Sequence, residues 1–258
     1  MPVPLPGGTR MGCRYVPRGE QTGTLAYFHG GGFIMGSPDT HAGVCALLAD
    51  LTGWQVFAAP YRLAPEHPFP AAHEDAAFVL RWLEEAGGGP LAVGGDSAGA
   101  NLAVWASRGV RVAARLLLYP VVDMDPAPAE QPSLEQFGRG YLLTTEALDQ
   151  CKKLALPPGT DLADPRLSPI RGRLDGQAPT VVAVAGFDPL VDQGRMFHEA
   201  LQAAGSPSRL VELGGMVHGF ADFAGVVPAA RDGVEQVAQA FMRAVAGGVE
   251  SEQQLDQV

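Results

Sequence analysis

Cysteine, positive charge and long apolar runs are all in short supply in this sequence. Three cysteines, Cys13, Cys45 and Cys151, are spread over 258 residues. Their odd number and spacing, with no C-x-x-C, indicate neither a disulfide framework nor a zinc knuckle. Eighteen Lys and Arg stand against 28 Asp and Glu, a net charge of −10. That balance disfavours nucleic acid and anionic membrane as partners. No run reaches membrane-spanning length, and the opening Met-Pro-Val-Pro-Leu-Pro-Gly-Gly has no apolar leader segment. No internal repeat is visible. A cytoplasmic enzyme or binding protein, with no metal site, is the expectation.

What is present is an ordinary globular composition, 47% hydrophobic and 18% charged. The length suits one α/β domain over residues 1–258. Residues 1–10 read as a flexible lead-in. Strands are expected at 11–16, 24–28, 55–59, 91–93, 114–119, 180–185 and 209–213. Helices are expected at 40–51, 71–86, 98–107, 145–156, 190–204 and 229–245, with a frayed tail from 250 to 258. The alternation is broken only at 125–177, a polar, proline-interrupted stretch that reads as a cap-like insertion. Alternating strands and helices with near-continuous apolar strands predict a mostly parallel sheet covered on both faces.

The chain is organised around Gly95-Asp96-Ser97-Ala98-Gly99, which fits G-x-S-x-G between an apolar strand and a helix. Such a turn forces its central residue into a cramped conformation and exposes its side chain, making Ser97 a candidate nucleophile. A serine nucleophile needs an imidazole to take its proton and an acid to fix that imidazole's tautomer. Only His198 and His218 follow Ser97. His198 falls mid-helix, whereas His218 lies on a glycine-rich loop just past a strand. For the acid, Asp188 stands at a strand tip, and Asp192, in the first helical turn, is its competitor. The run His29-Gly30-Gly31-Gly32 ends the 24–28 strand. Its glycines let backbone amides turn inward, so Gly31, Gly32 and the Ala98 N–H are candidate oxyanion donors. His29 reads as a structural hydrogen-bonder. Phe33, Met35 and Phe220 are apolar side chains near these motifs that could line an acyl pocket.

Together, His29 to Phe33, Tyr61-Arg62-Leu63-Ala64-Pro65-Glu66, Gly95 to Asn101, Gly186-Phe187-Asp188-Pro189-Leu190 and His218-Gly219-Phe220 resemble the bacterial hormone-sensitive-lipase-like esterases of the α/β-hydrolase fold. The resemblance implies a triad of Ser97, Asp188 and His218 and an oxyanion hole of Gly31, Gly32 and Ala98. It assigns Glu66, Asp96 and Asn101 to holding the surrounding loops. It further implies hydrolysis of small-molecule esters with short to medium acyl chains, without a cofactor. A homodimer is compatible with it. Members of this family carry helices ahead of the H-G-G-G motif that form half of a cap. Here 28 residues precede His29. A reduced cap, one fewer sheet strand and a more open pocket are therefore expected. The alternatives are a deacetylase or amidase on a specific metabolite, and a non-catalytic binder like the plant gibberellin receptors. The receptors have lost the histidine, and His218 is present here.

Overall fold

A computed structural model describes residues 1–126 and 130–255. Its strands are β1 (Pro2–Leu5), β2 (Gly8–Met11), β3 (Cys13–Tyr15), β4 (Thr24–Phe28), β5 (Gln55–Ala59), β6 (Leu91–Asp96), β7 (Arg115–Leu118), β8 (Thr180–Phe187) and β9 (Ser208–Val217). Its helices are α1 (Ala42–Thr52), α2 (Ala71–Ala86), α3 (Ala98–Ala106), α4 (Ser133–Gln136), α5 (Thr145–Ala155), α6 (Val191–Ala203) and α7 (Pro228–Leu255). The main sheet has seven strands in the order β3-β5-β4-β6-β7-β8-β9, and only β3 runs antiparallel.

Strand side chains alternate between two cores, because successive residues point to opposite faces. Ala26, Phe28, Phe57, Val93 and Val182 pack on one side with Val79 and Leu80 of α2 and Phe197 of α6. Leu25, Tyr27, Val56 and Val181 pack on the other with Leu48 of α1 and Phe241 of α7. The pairing then aligns the carboxyl ends of the strands. Phe28 lies beside Gly95, Asp96 beside Leu118 and Phe187 beside Val217. The residues that follow them, His29, Ser97, Asp188 and His218, therefore emerge on one edge, where open α/β sheets bind ligands.

Two expectations need correction. Residues 1–10 are not a loose lead-in, since β1 and β2 form an antiparallel hairpin with Val3 facing Arg10 and Leu5 facing Gly8. Val3 and Leu5 are buried in the same core as Phe57 and Val79. The prolines at 2 and 4 sit on the exposed side of this short edge pair, where a missing N–H is tolerated. The tail is helical as far as Leu255, while residues 256–258 lie outside those described. Residues 1–23 contain no helix, so no helical arch from that segment lies over Ser97. Among the described residues, no helix is long and apolar enough to cross a membrane.

Candidate active site

Ser97 sits between β6 and α3 with φ 52° and ψ −119°, in the left-handed region that disfavours a side chain. The turn is possible because its flanking positions are glycine. A Cβ on Gly95 would stand 2.5 Å from the carbonyl oxygen of Phe28. The Ser97 amide is fixed by donating to Leu118 O at 2.9 Å.

Ser97 Oγ lies 2.9 Å from His218 Nε2, and His218 Nδ1 lies 2.8 Å from Asp188 Oδ2. Asp188 is fully buried, and its other oxygen accepts the Leu190 amide at 2.8 Å. With Nδ1–H donating to Asp188, Nε2 is free to accept the serine proton. The alternative acid, Asp192, turns away to accept from Ser133 N at 2.8 Å. His198 likewise faces Ser208, 2.8 Å from its Oγ.

Gly31 and Gly32 have φ of 111° and 61°, values glycine adopts without cost. The loop closes on itself through Met35 N donating to Gly31 O at 3.0 Å. Gly31, Gly32 and Ala98 all line the cavity in front of Ser97. Asp96 holds this loop from below, accepting Gly30 N and the Tyr27 hydroxyl, each at 2.9 Å on Oδ1. Burial would raise the Asp96 pKa, but hydrogen bonding and charge from His41, with Tyr27 and His29, bring it below the ordinary value. His29 Nδ1 donates to Gly30 O at 2.7 Å, while Tyr61 donates to His29 O at 2.8 Å. Burial lowers the His29 pKa to about 4, so its ring is neutral at pH 7 and acts as a brace.

Asn101, fully buried on α3, accepts from His73 Nε2 at 2.9 Å. It donates to Val121 O at 3.1 Å and to Leu167 O at 2.9 Å. Asn101→Ala strands all three partners, and urea denaturation is expected to show a loss of about 2–3 kcal/mol.

Glu66 does not hold its loop. It is exposed and makes no hydrogen bond or ion pair among the described residues. The loop after β5 is pinned instead by Asp75 of α2, fully buried, which takes Arg62 in a fork of 2.9 Å and 2.8 Å. Phe220 also departs from expectation. It is 1% exposed and packs edge-on to Tyr119 in the core, away from the cavity. Phe33 and Met35 do line the cavity. Sequence reasoning missed Asp75, His41, Asp222, Tyr119 and Gln193. Gln193 Oε1 accepts the amides of Val122 and Asp123 at 2.9 and 3.0 Å and fixes the wall beside Ser97.

The cavity measures about 710 Å³ and is walled largely by apolar side chains, including Val121, Leu134, Leu143, Leu148 and Leu190. A serine activated by a tautomer-fixed imidazole, on a cavity lined by the backbone of Gly31, Gly32 and Ala98, has the arrangement that acyl transfer requires. Fold and site together define a serine hydrolase built on the α/β-hydrolase sheet. A family model described as α/β hydrolase fold matches residues 25–222, and the chain belongs to that family.

Its similarity extends to individual proteins. It is 41% identical to the carboxylic ester hydrolase LipN of Mycobacterium tuberculosis, over 84% of this chain and 62% of that protein. The chain thus spans less than two thirds of that relative's length. It is 36% identical to the ethyl acetate hydrolase of Pseudomonas putida, over 85% of this chain and 72% of that one. Among solved structures, EstE1, a thermophilic carboxylesterase cloned from a metagenomic library, superposes with a TM-score of 0.89. That pair is 35% identical, covering 95% of this chain and 88% of the other.

Proposed function

We propose that this protein hydrolyses carboxylic esters of short to medium acyl chain through an acyl-enzyme on Ser97. The observation that carries the reading is the relay from Asp188 through His218 to Ser97, at 2.8 and 2.9 Å, opening on the apolar cavity. His218 Nε2 accepts the Ser97 proton as Oγ attacks the ester carbonyl. The carbonyl oxygen takes the electron pair and meets the amides of Gly31, Gly32 and Ala98. One such donor is typically worth about 3–4 kcal/mol in the transition state. The imidazolium then protonates the leaving alcohol, and water, deprotonated by the same nitrogen, releases the acid. Asp188 keeps the ring oriented and stabilises its charge throughout.

We read 125–177 as a cap on this single domain, supported by Leu143, Leu148 and Cys151 lining one wall of the cavity. Its three cysteines are all unpaired, which supports a reducing, cytoplasmic setting. A panel of p-nitrophenyl esters, from acetate through butyrate and octanoate to palmitate, with a matched anilide alongside, tests the substrate class. Specificity constants are expected to peak at short to medium chains and to fall roughly 10-fold or more by palmitate. Preference for palmitate, or faster cleavage of the anilide, would defeat the assignment.

A further inference from the structure

One group of titratable side chains on the cavity wall has no part in the relay. His41 stands immediately before α1, with its side chain 8% exposed. Its Nε2 is 3.4 Å from Asp96 Oδ1 and 3.7 Å from Asp222 Oδ1. Its Nδ1 is 2.9 Å from Thr40 Oγ1. Thr40 already donates its hydroxyl proton to Ser37 O at 2.8 Å, so towards His41 it is left as an acceptor. Nε2 stands at ion-pair distance from the two carboxylates, with no acceptor closer. A ring that donates from Nδ1 to Thr40 Oγ1 and carries a second proton on Nε2 towards the carboxylates is the imidazolium. The electrostatics agree with this placement between two carboxylates. Burial opposes the charge on His41, but the hydrogen bond and charge of Asp96, then the charge of Asp222, outweigh it and raise the pKa.

The two carboxylates belong to different parts of the machinery. Asp96 ends β6 and grips Gly30 N, the first amide of the glycine loop. Asp222 lies in the short turn Phe220–Phe223, directly after His218 and Gly219. Asp222, His41 and Asp96 all line the cavity. The remaining titratable groups around these two carboxylates and the imidazole come from β4 and the residue after it, the residue after β7, α1 and the His218 loop. His29 lies 5.5 Å away ring to ring and is neutral, its pKa lowered to about 4 by burial. Tyr27, Tyr119 and Cys45 are pushed well above their ordinary values by burial and stay uncharged. Burial, then the charge of Asp96, raises the Asp222 pKa above the ordinary carboxylate value, and the charge of His41 opposes them.

We propose that His41, as an imidazolium between Asp96 and Asp222, is a positioning residue that ties the oxyanion loop to the loop carrying His218. The proposal rests on the ester-hydrolase reading above. Loss of the His41 proton removes a donor and leaves two carboxylates facing each other with no cation between them. The folded-state pKa is raised, so the tie is complete on the acid side and is lost as pH rises through that value. Where the relay imidazole alone titrates, the rate climbs with pH to a plateau. Here it falls again on the alkaline side.

The test is kcat/KM for ethyl butyrate in a pH-stat, from about pH 5 to about pH 10. Wild type, His41→Gln and Asp222→Asn are compared, with circular dichroism at each pH. The wild type is expected to show both limbs while remaining folded. His41→Gln is expected to lose the alkaline limb and to run roughly 10- to 100-fold slower at its optimum. Asp222→Asn should keep that limb but move it to lower pH, since one charge that stabilises the imidazolium is gone. An active wild type without an alkaline limb, or a limb unmoved in both variants, overturns the proposal. A wild type that hydrolyses no ester at any pH defeats the underlying reading and the proposal with it. Should His41→Gln fail to fold, the shift in Asp222→Asn decides alone.

Discussion

Ser97→Ala is expected to cut kcat for ester hydrolysis by roughly a million-fold while leaving the protein folded. Among the described residues on the cavity wall, neither the Cys151 thiol nor the Thr40 hydroxyl can take over. Cys151 lines the same space, but burial raises its pKa and keeps it a thiol, and no histidine is hydrogen-bonded to it. Thr40 spends its hydroxyl proton on Ser37 O. Stability should change by less than about 1 kcal/mol, because the cost of a Cβ at φ 52° falls equally on serine and alanine. The largely apolar cavity survives the change, so the variant should still bind ester. Rate measurement with active-site titration, beside thermal unfolding, checks both halves. Activity within about 100-fold of wild type would remove Ser97 from the mechanism and the triad with it.

The relay was legible in the sequence because parallel strands translate chain order into spatial order. β4, β6 and β8 are buried, largely apolar runs that lead into His29, Ser97 and Asp188, and the half-exposed β9 leads into His218. In-register pairing carries all of those ends to one edge. The competition between Asp188 and Asp192 was decided by a single property, position at the strand tip rather than inside the next helix. What stayed hidden depends on approach between segments far apart in the chain. Asp75 pairs with Arg62 only because α2 lies against the loop after β5, whereas Glu66 was assigned to that loop by the family resemblance alone. His41 carries no local pattern, since its meaning comes from Asp96 and Asp222 on two other elements. Phe220 follows His218 closely, yet the turn at Gly219 (φ 77°) sends its ring into the core. The amino-terminal hairpin was hidden for a different reason. Its prolines suggest a break, but on an edge pair they occupy outward positions, and the period-two burial of Val3 and Leu5 is the signal that mattered.

Gly99→Ala is expected to destabilise the fold by roughly 3 kcal/mol or more and to abolish activity at the same time. A Cβ there would collide with the carbonyl oxygens of Phe28 and His29. Both are backbone atoms, so no side chain can rotate away, and α3 must retreat from the end of β4. That retreat separates the Ala98 amide, on α3, from Gly31 and Gly32, on the loop that continues β4. Gly43→Ala is the control, because its added Cβ meets nothing within 4 Å and it sits inside α1. It should stabilise by about 0.5–1 kcal/mol through helix propensity alone. Urea denaturation of the pair should therefore give shifts of opposite sign. A Gly99→Ala protein within about 0.5 kcal/mol of wild type would mean that α3 does not rest on the β4 backbone. The Ala98 backbone owes its place opposite Gly31 and Gly32 to that contact, so Gly99 sets the spacing that the proposed oxyanion donors require.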